Sequence, residues 1–92
     1  MADRPKFRGV IRYWRPERAA GLAVIDISSD AADTLGGLRQ MKVSGSLNGT
    51  PFDSNTMPAG GGILALTVSR TMLDAAGVQV GDAVEVEVER IV

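Results

Sequence analysis

The 92-residue sequence contains no cysteine and no histidine. The first absence excludes disulfides, thiolate zinc sites and cysteine nucleophiles. The second removes the commonest general base and the commonest metal ligand. Aromatic residues are scarce, with one Trp, one Tyr and two Phe. Neither sign of charge dominates: 10 basic residues against 11 acidic ones leave a net charge of −1. That balance argues against a general polyanion binder and against disorder. Long hydrophobic runs are missing too, and Ile63-Leu64-Ala65-Leu66 falls far short of a membrane span. The opening Met1-Ala2-Asp3-Arg4-Pro5-Lys6 lacks the apolar stretch of a secretory signal, so a cytoplasmic location is expected. Without a secretory route, Asn48-Gly49-Thr50 is not read as a glycosylation site.

What is present fits one domain over residues 1–92, with 45% apolar residues for a single core. Phe7 to Trp14 reads as a strand with Phe7, Gly9, Ile11 and Tyr13 on one side and Arg8, Val10, Arg12 and Trp14 on the other. Arg15-Pro16-Glu17-Arg18 breaks it. Gly21 to Ser28 is a second strand, followed by a short helix from Asp30 to Leu35. Ser28 or Ser29 caps that helix and Gly36-Gly37 stops it. Arg39 to Leu47 is a third strand. Asn48-Gly49 signals a two-residue type I′ hairpin, which sets Leu47 against Thr50, Ser46 against Pro51 and Gly45 against Phe52. Pro51 places that stretch near a sheet edge. Met57 to Gly62 reads as a loop and Ile63 to Val68 as a strand. Ser69 caps a helix from Arg70 to Ala76, with Met72, Leu73 and Ala76 on its apolar side and Gly77 as its stop. After a turn at Gly81-Asp82, Ala83 to Ile91 alternates Val84, Val86 and Val88 inward with Glu85, Glu87 and Glu89 outward.

Shifted by about 41 residues, the chain overlays itself. Ser28 falls on Ser69, Asp33 on Asp74, Gly36 on Gly77 and Val43 on Val84. One unit is used twice: strand, serine cap, short helix, glycine stop, strand. The halves run approximately over 7–47 and 48–91. Neither buries its apolar face alone, so the two should pair about a pseudo-twofold axis. The expected fold is mainly β: a small closed or split β-barrel from two pseudo-repeated β-α-β units with two short helices, a sandwich being the alternative. A pseudo-dimer within one chain implies a monomer.

Three stretches carry a family resemblance. They are Val43 through Phe52, then Met57-Pro58 with Gly60-Gly61-Gly62, then Val68-Ser69 followed by Ala75 through Val84. Together with Phe7-Arg8-Gly9-Val10-Ile11 and Gly21-Leu22-Ala23, they resemble the bacterial family called domain of unknown function 1905. The resemblance covers nearly the whole chain, and its Gly77 to Val84 segment is also similar to AbrB- and MazE-like DNA-binding halves. It implies a double-split β-barrel, with one chain supplying both halves, and carries no agreed activity. Asn55 and Thr56 depart from the family's Ser and bulky residue before Met-Pro. Asp74 stands where a basic residue is common, which puts an anion-binding role for that helix face in doubt.

Charge is uneven along the chain. Residues 1–47 hold eight basic and five acidic residues, and residues 48–92 hold two and six. The candidate ligand-binding residues are therefore Arg8, Arg12, Trp14 and Arg15, in a basic segment with Arg4, Lys6, Arg18 and Tyr13. The plainer reading sets Arg8 and Arg12 across from Glu85, Glu87 and Glu89 as register-setting pairs. Gly60-Gly61-Gly62 leads into a strand without a following Gly-Lys-Ser/Thr, so it is not read as a phosphate loop. Asp26, Asp53, Asp74 and Asp82 are the candidate acids, and Ser28 and Ser69 the candidate nucleophiles. Lys6 and Lys42 are the only lysines available as bases, and neither lies in a motif. Capping and turn roles account for the serines and aspartates, so no catalytic residue, metal or cofactor is assigned. The expected function is a non-enzymatic β-barrel binding module for a protein partner or a small ligand at a barrel mouth, with no membrane. The alternatives are a nucleic-acid binder, by analogy of fold, and an enzyme using only Asp and Arg.

Overall fold

The computed structural model describes residues 4–15 and 21–91. Arg18 and the Pro16-Glu17-Arg18 break lie outside the described residues. The elements run in the order β1 (Lys6–Tyr13), β2 (Ala23–Ile27), α1 (Ser29–Leu35), β3 (Met41–Leu47), β4 (Thr50–Gly60), β5 (Ile63–Val68), α2 (Arg70–Ala76) and β6 (Ala83–Arg90). The strands close into an antiparallel barrel in the ring order β1-β2-β5-β4-β3-β6. A sandwich is excluded.

Exchange the halves, β1 for β4, β2 for β5 and β3 for β6, and the ring reads the same. Both Phe residues occupy one equivalent place. Phe7 pairs with Val86 and Phe52 with Gly45, and Val86 is the repeat counterpart of Gly45. The interior is filled rather than hollow. Ile11, Ile25, Leu47, Leu64, Leu66, Val43, Val84, Val86 and Val88 are all fully buried. Each such side chain contributes about 1.5–3 kcal/mol relative to leaving it exposed.

The helices follow from their caps. Ser28 Oγ accepts from the Ala31 amide and Gly36 ends α1. Ser69 Oγ accepts from the Met72 amide at 3.2 Å, and Gly77 ends α2 in the left-handed region. The hairpin register is as expected, Leu47 to Thr50, Ser46 to Pro51 and Gly45 to Phe52, with φ of 49° at Asn48 and 86° at Gly49. Asn48 does more than turn the chain. Its Oδ1 accepts from the Glu85 amide and its own amide donates to the Glu85 carbonyl, both at 2.8 Å, so the hairpin is fastened to β6.

The Met57 to Gly62 segment corrects the sequence reading. It is not a loop: β4 continues through Gly60, pairing Met57 with Ala65 and Pro58 with Leu64, and only Gly61-Gly62 turn. A proline is tolerated there because β3 begins at Met41, opposite Thr56, leaving nothing on that side of Pro58 to need its donor. Glycines read as a loop are instead a shifted register between Pro58 and Gly60 and a tight turn. Pro51 behaves similarly at the other end of β4. β5 pairs β4 only from Thr56 onward, so the outer side of Pro51 is a local edge inside a closed ring.

Candidate functional site

The outer face of β1 is an ion-pair seam. Arg4 meets Glu89 at 2.7 Å and Glu87 at 3.6 Å, Lys6 meets Glu87 at 3.9 Å, and Arg8 meets Glu85 at 3.8 Å. The register Lys6 to Glu87 and Arg8 to Glu85 places these partners side by side. The hydrogen bond to Glu89, and then the Glu89 charge, raise the Arg4 pKa above the ordinary arginine value.

Arg12 departs from expectation. It does not face the C-terminal glutamates, because β1 leaves β6 after Val10 and pairs with β2 from Ile11 onward. Its partner is Asp26, reached at 2.8 Å from Nη2, with Nε donating to both carboxylate oxygens. Nη1 also donates to the carbonyls of Tyr13 and Trp14. Trp14 is half-buried just past β1, its amide donating to the Leu22 carbonyl at 2.7 Å. Arg15 is exposed beyond it. Arg8, Arg12 and Trp14 thus lie along one outer strip, and none of the four candidates lines the three concavities found among the described residues.

The concavities lie elsewhere. One groove of about 490 Å³ runs between α2 and the β3–β4 hairpin, lined by Ser44, Phe52, Asp53, Thr71 and Met72 among others. A shallow one of about 300 Å³ lies over Lys6, Ser46 and Glu87. The third, of about 360 Å³, is at a barrel mouth. Its floor is built by register: Tyr13 pairs with Ala23, and Ala23 with Val68, across the adjacent ends of β1, β2 and β5. Leu73 of α2 and the following Val78 and Val80 form the far wall. Arg70, Asp74 and Gln79 stand at the rim, the first two one helical turn apart. The wall is fixed in place. Gly81 donates to the Ile11 carbonyl at 2.8 Å, Ile11 to the Asp82 carbonyl at 3.0 Å, and the Asp82 carboxylate accepts from the Gln79 amide at 2.9 Å.

The repeat supplies a control for this mouth. Its counterpart at the other end of the barrel lies under α1, where Ala31, Ala32 and Leu35 are all buried. In α2 only Met72 is buried. Leu73, the counterpart of Ala32, and Ala76, the counterpart of Leu35, remain half-exposed. One end is sealed and the other is open. Parity with Phe7 and Ile11 already turned Tyr13 inward in the sequence. Nothing local in the sequence announced that Leu73 and Ala76 stay half-exposed where Ala32 and Leu35 are buried.

The candidate acids are dispersed: Asp26 is held by Arg12, Asp82 by the Gln79 amide, Asp53 lines the α2–hairpin groove and Asp74 the mouth. Among the described residues, no three carboxylates gather as metal ligands. Ser28 and Ser69 are occupied as helix caps.

The match to a family model of unknown function, domain of unknown function 1905, runs over residues 7–88. The chain belongs to this family. The region characteristic of the 1905 family therefore begins at Phe7 and ends at Val88, two core residues, and takes in all the barrel between them. No curated protein matches the chain. Among the described residues no helix is long and apolar enough to cross a membrane.

Proposed function

We propose that this member of the 1905 family is a non-enzymatic binding module that takes a small ligand in the groove at the α2 mouth. The observation that carries the reading is the contrast between the two barrel ends. Apolar side chains that the repeat buries beneath α1 reach solvent beneath α2, in a concavity with both charge signs at its rim. Its volume of about 360 Å³ is within the range of small-molecule sites. The filled interior leaves the mouth, not the barrel centre, as the place for a ligand. The location proposed is the cytoplasm, and the state a monomer, supported by a ring that closes on itself.

The choice against nucleic acid rests on charge. The cations Arg4, Lys6, Arg8 and Arg12 each have a carboxylate partner. A low-salt gel shift with random duplex should show unchanged mobility, and a shift that vanishes at higher salt would favour the nucleic-acid reading.

The direct test is a fragment screen read by amide chemical shifts. Hits should move the amides of Tyr13, Ala23, Val68, Leu73 and Val80, and Leu73→Arg should abolish those shifts while leaving the fold intact. Hits that gather elsewhere, or that bind Leu73→Arg equally well, refute the assignment.

A further inference from the structure

The sealed end of the barrel carries a second feature. Arg39 follows α1 and Arg90 ends β6, and their guanidinium groups converge on Gly36. A Cβ on Gly36 would stand 3.2 Å from Arg90 Nη1, 3.4 Å from Arg39 Nη2 and 3.5 Å from Met41 Sδ. The missing side chain is what lets both guanidinium groups close in on this point of the chain. The backbone that carries them is held firmly. The Arg39 carbonyl accepts from buried Thr56 Oγ1 at 2.9 Å, and the Met41 amide donates to the same oxygen at 3.1 Å. Arg90 is paired with Val43, and the next amide, Ile91, donates to the Lys42 carbonyl at 2.9 Å.

These two arginines differ from those on and just before β1. Arg4, Arg8 and Arg12 each reach a carboxylate, whereas among the described residues neither Arg39 nor Arg90 makes an ion pair or a side-chain hydrogen bond. Two guanidinium groups brought together repel unless something negative lies between them. The nearby carboxyl end of α1 offers only partial negative charge. A guanidinium presents planar donors that match carboxylate and phosphate oxygens, and two of them form a clamp.

We propose that Arg39 and Arg90 form a binding site for an oxyanion, the phosphate or carboxylate group of a small molecule, over Gly36 at the sealed end of the barrel. The site is separate from the α2 groove and stands or falls independently of it.

The test titrates the protein with sodium phosphate, sodium acetate and, at matched ionic strength, sodium chloride, following amide and arginine Nε–H signals. The Arg39 and Arg90 side chains and the Gly36 and Gly37 amides should shift saturably with phosphate or acetate and not with chloride. Saturation by only one of the two anions identifies the group recognised. Arg39→Gln and Arg90→Gln, both at exposed positions, should each weaken binding about tenfold or more without changing the melting temperature in chloride. Leu73→Arg should bind the anion as the native chain does. Shifts that grow linearly with every salt, that spread equally over Arg4, Arg8 and Arg12, or that persist in both glutamine variants overturn the proposal.

Discussion

Ile25 on β2 lies directly opposite Leu66 on β5, and Leu66 is the residue that the repeat sets in Ile25's own place. The same is true of Ser46 and Glu87 across the β3–β6 seam. Equivalent residues that face one another mark the points where a twofold axis passes through a sheet. The axis therefore enters the barrel at one seam and leaves at the other. By the same symmetry, Leu47 and Thr50, which flank the hairpin, correspond to Val88 and Pro5, and the Val88 amide donates to the Pro5 carbonyl at 3.2 Å.

A circular permutant follows from that correspondence. Joining the two ends of the chain with a short Gly-Ser linker and opening it between Asn48 and Gly49 exchanges the roles of two equivalent places. The permutant should fold cooperatively with the same far-UV spectrum. It should be less stable by about 1–3 kcal/mol, mostly through loss of the hairpin turn and of its bonds to Glu85. A permutant without a cooperative melt would contradict the symmetry.

Gly45 and Gly9 are both places of close approach, with different consequences for a methyl group. A Cβ on Gly45 would collide with the Glu87 carbonyl oxygen, which belongs to the β6 backbone. A Cβ on Gly9 would meet Ile25 Cγ2 at 2.5 Å, the end of a side chain. Gly45→Ala should cost about 3 kcal/mol or more by urea denaturation, and Gly9→Ala about 1–2 kcal/mol. Reversal of that order would show that the β3–β6 seam yields more easily than the β1 packing.

Thr56 is the buried polar residue of the described core, at 0% exposure. Its hydroxyl bridges the Arg39 carbonyl and the Met41 amide where β3 begins. Its counterpart in the first half is Ile11, which meets the returning chain through its backbone instead. Thr56→Val keeps the shape and strands both backbone groups, so it should cost about 1–3 kcal/mol and speed hydrogen exchange at the Met41 amide. Thr56→Ser should keep that amide protected.

The ion-pair seam should matter little for stability. A double-mutant cycle on Arg12 and Asp26 should return about 0.2–1 kcal/mol, shrinking as salt is added. For Arg4 the folded pKa is raised, so its contribution is complete below the ordinary arginine range and is lost only as pH climbs through the raised value. The stability difference between the native chain and Arg4→Gln should therefore stay flat from about pH 7 to about pH 10. A difference that decays within that window would mean another group controls the pair.

Local chemistry made much of this fold legible. Asn48-Gly49 fixes a turn type, the turn type fixes the pairing, and Gly45 opposite Phe52 followed from those two residues. Ser69 and Gly77 bracket α2 at its observed limits. What escaped depends on neighbours distant in the chain. Pro58 reads as a breaker until the β3 pairing is seen to reach only as far as Thr56. Arg12 changes partners because β1 switches from β6 to β2 at Ile11, a switch that no single strand displays. The open mouth is a matter of how α2 sits, and Leu73 looks no different in the sequence from a fully covered leucine.

The unequal packing of α1 and α2 divides labour within the molecule. Three side chains of α1 are committed to the core, so that end acts as a stopper holding the ring together. The opposite rim shares that duty less, since Met72 alone of α2 is buried and Leu73, Ala76, Val78 and Val80 rest against the core half-covered. Substitutions at Leu73, Val78 or Val80, which rest only half-buried against the core, should therefore cost less stability than one at Leu35.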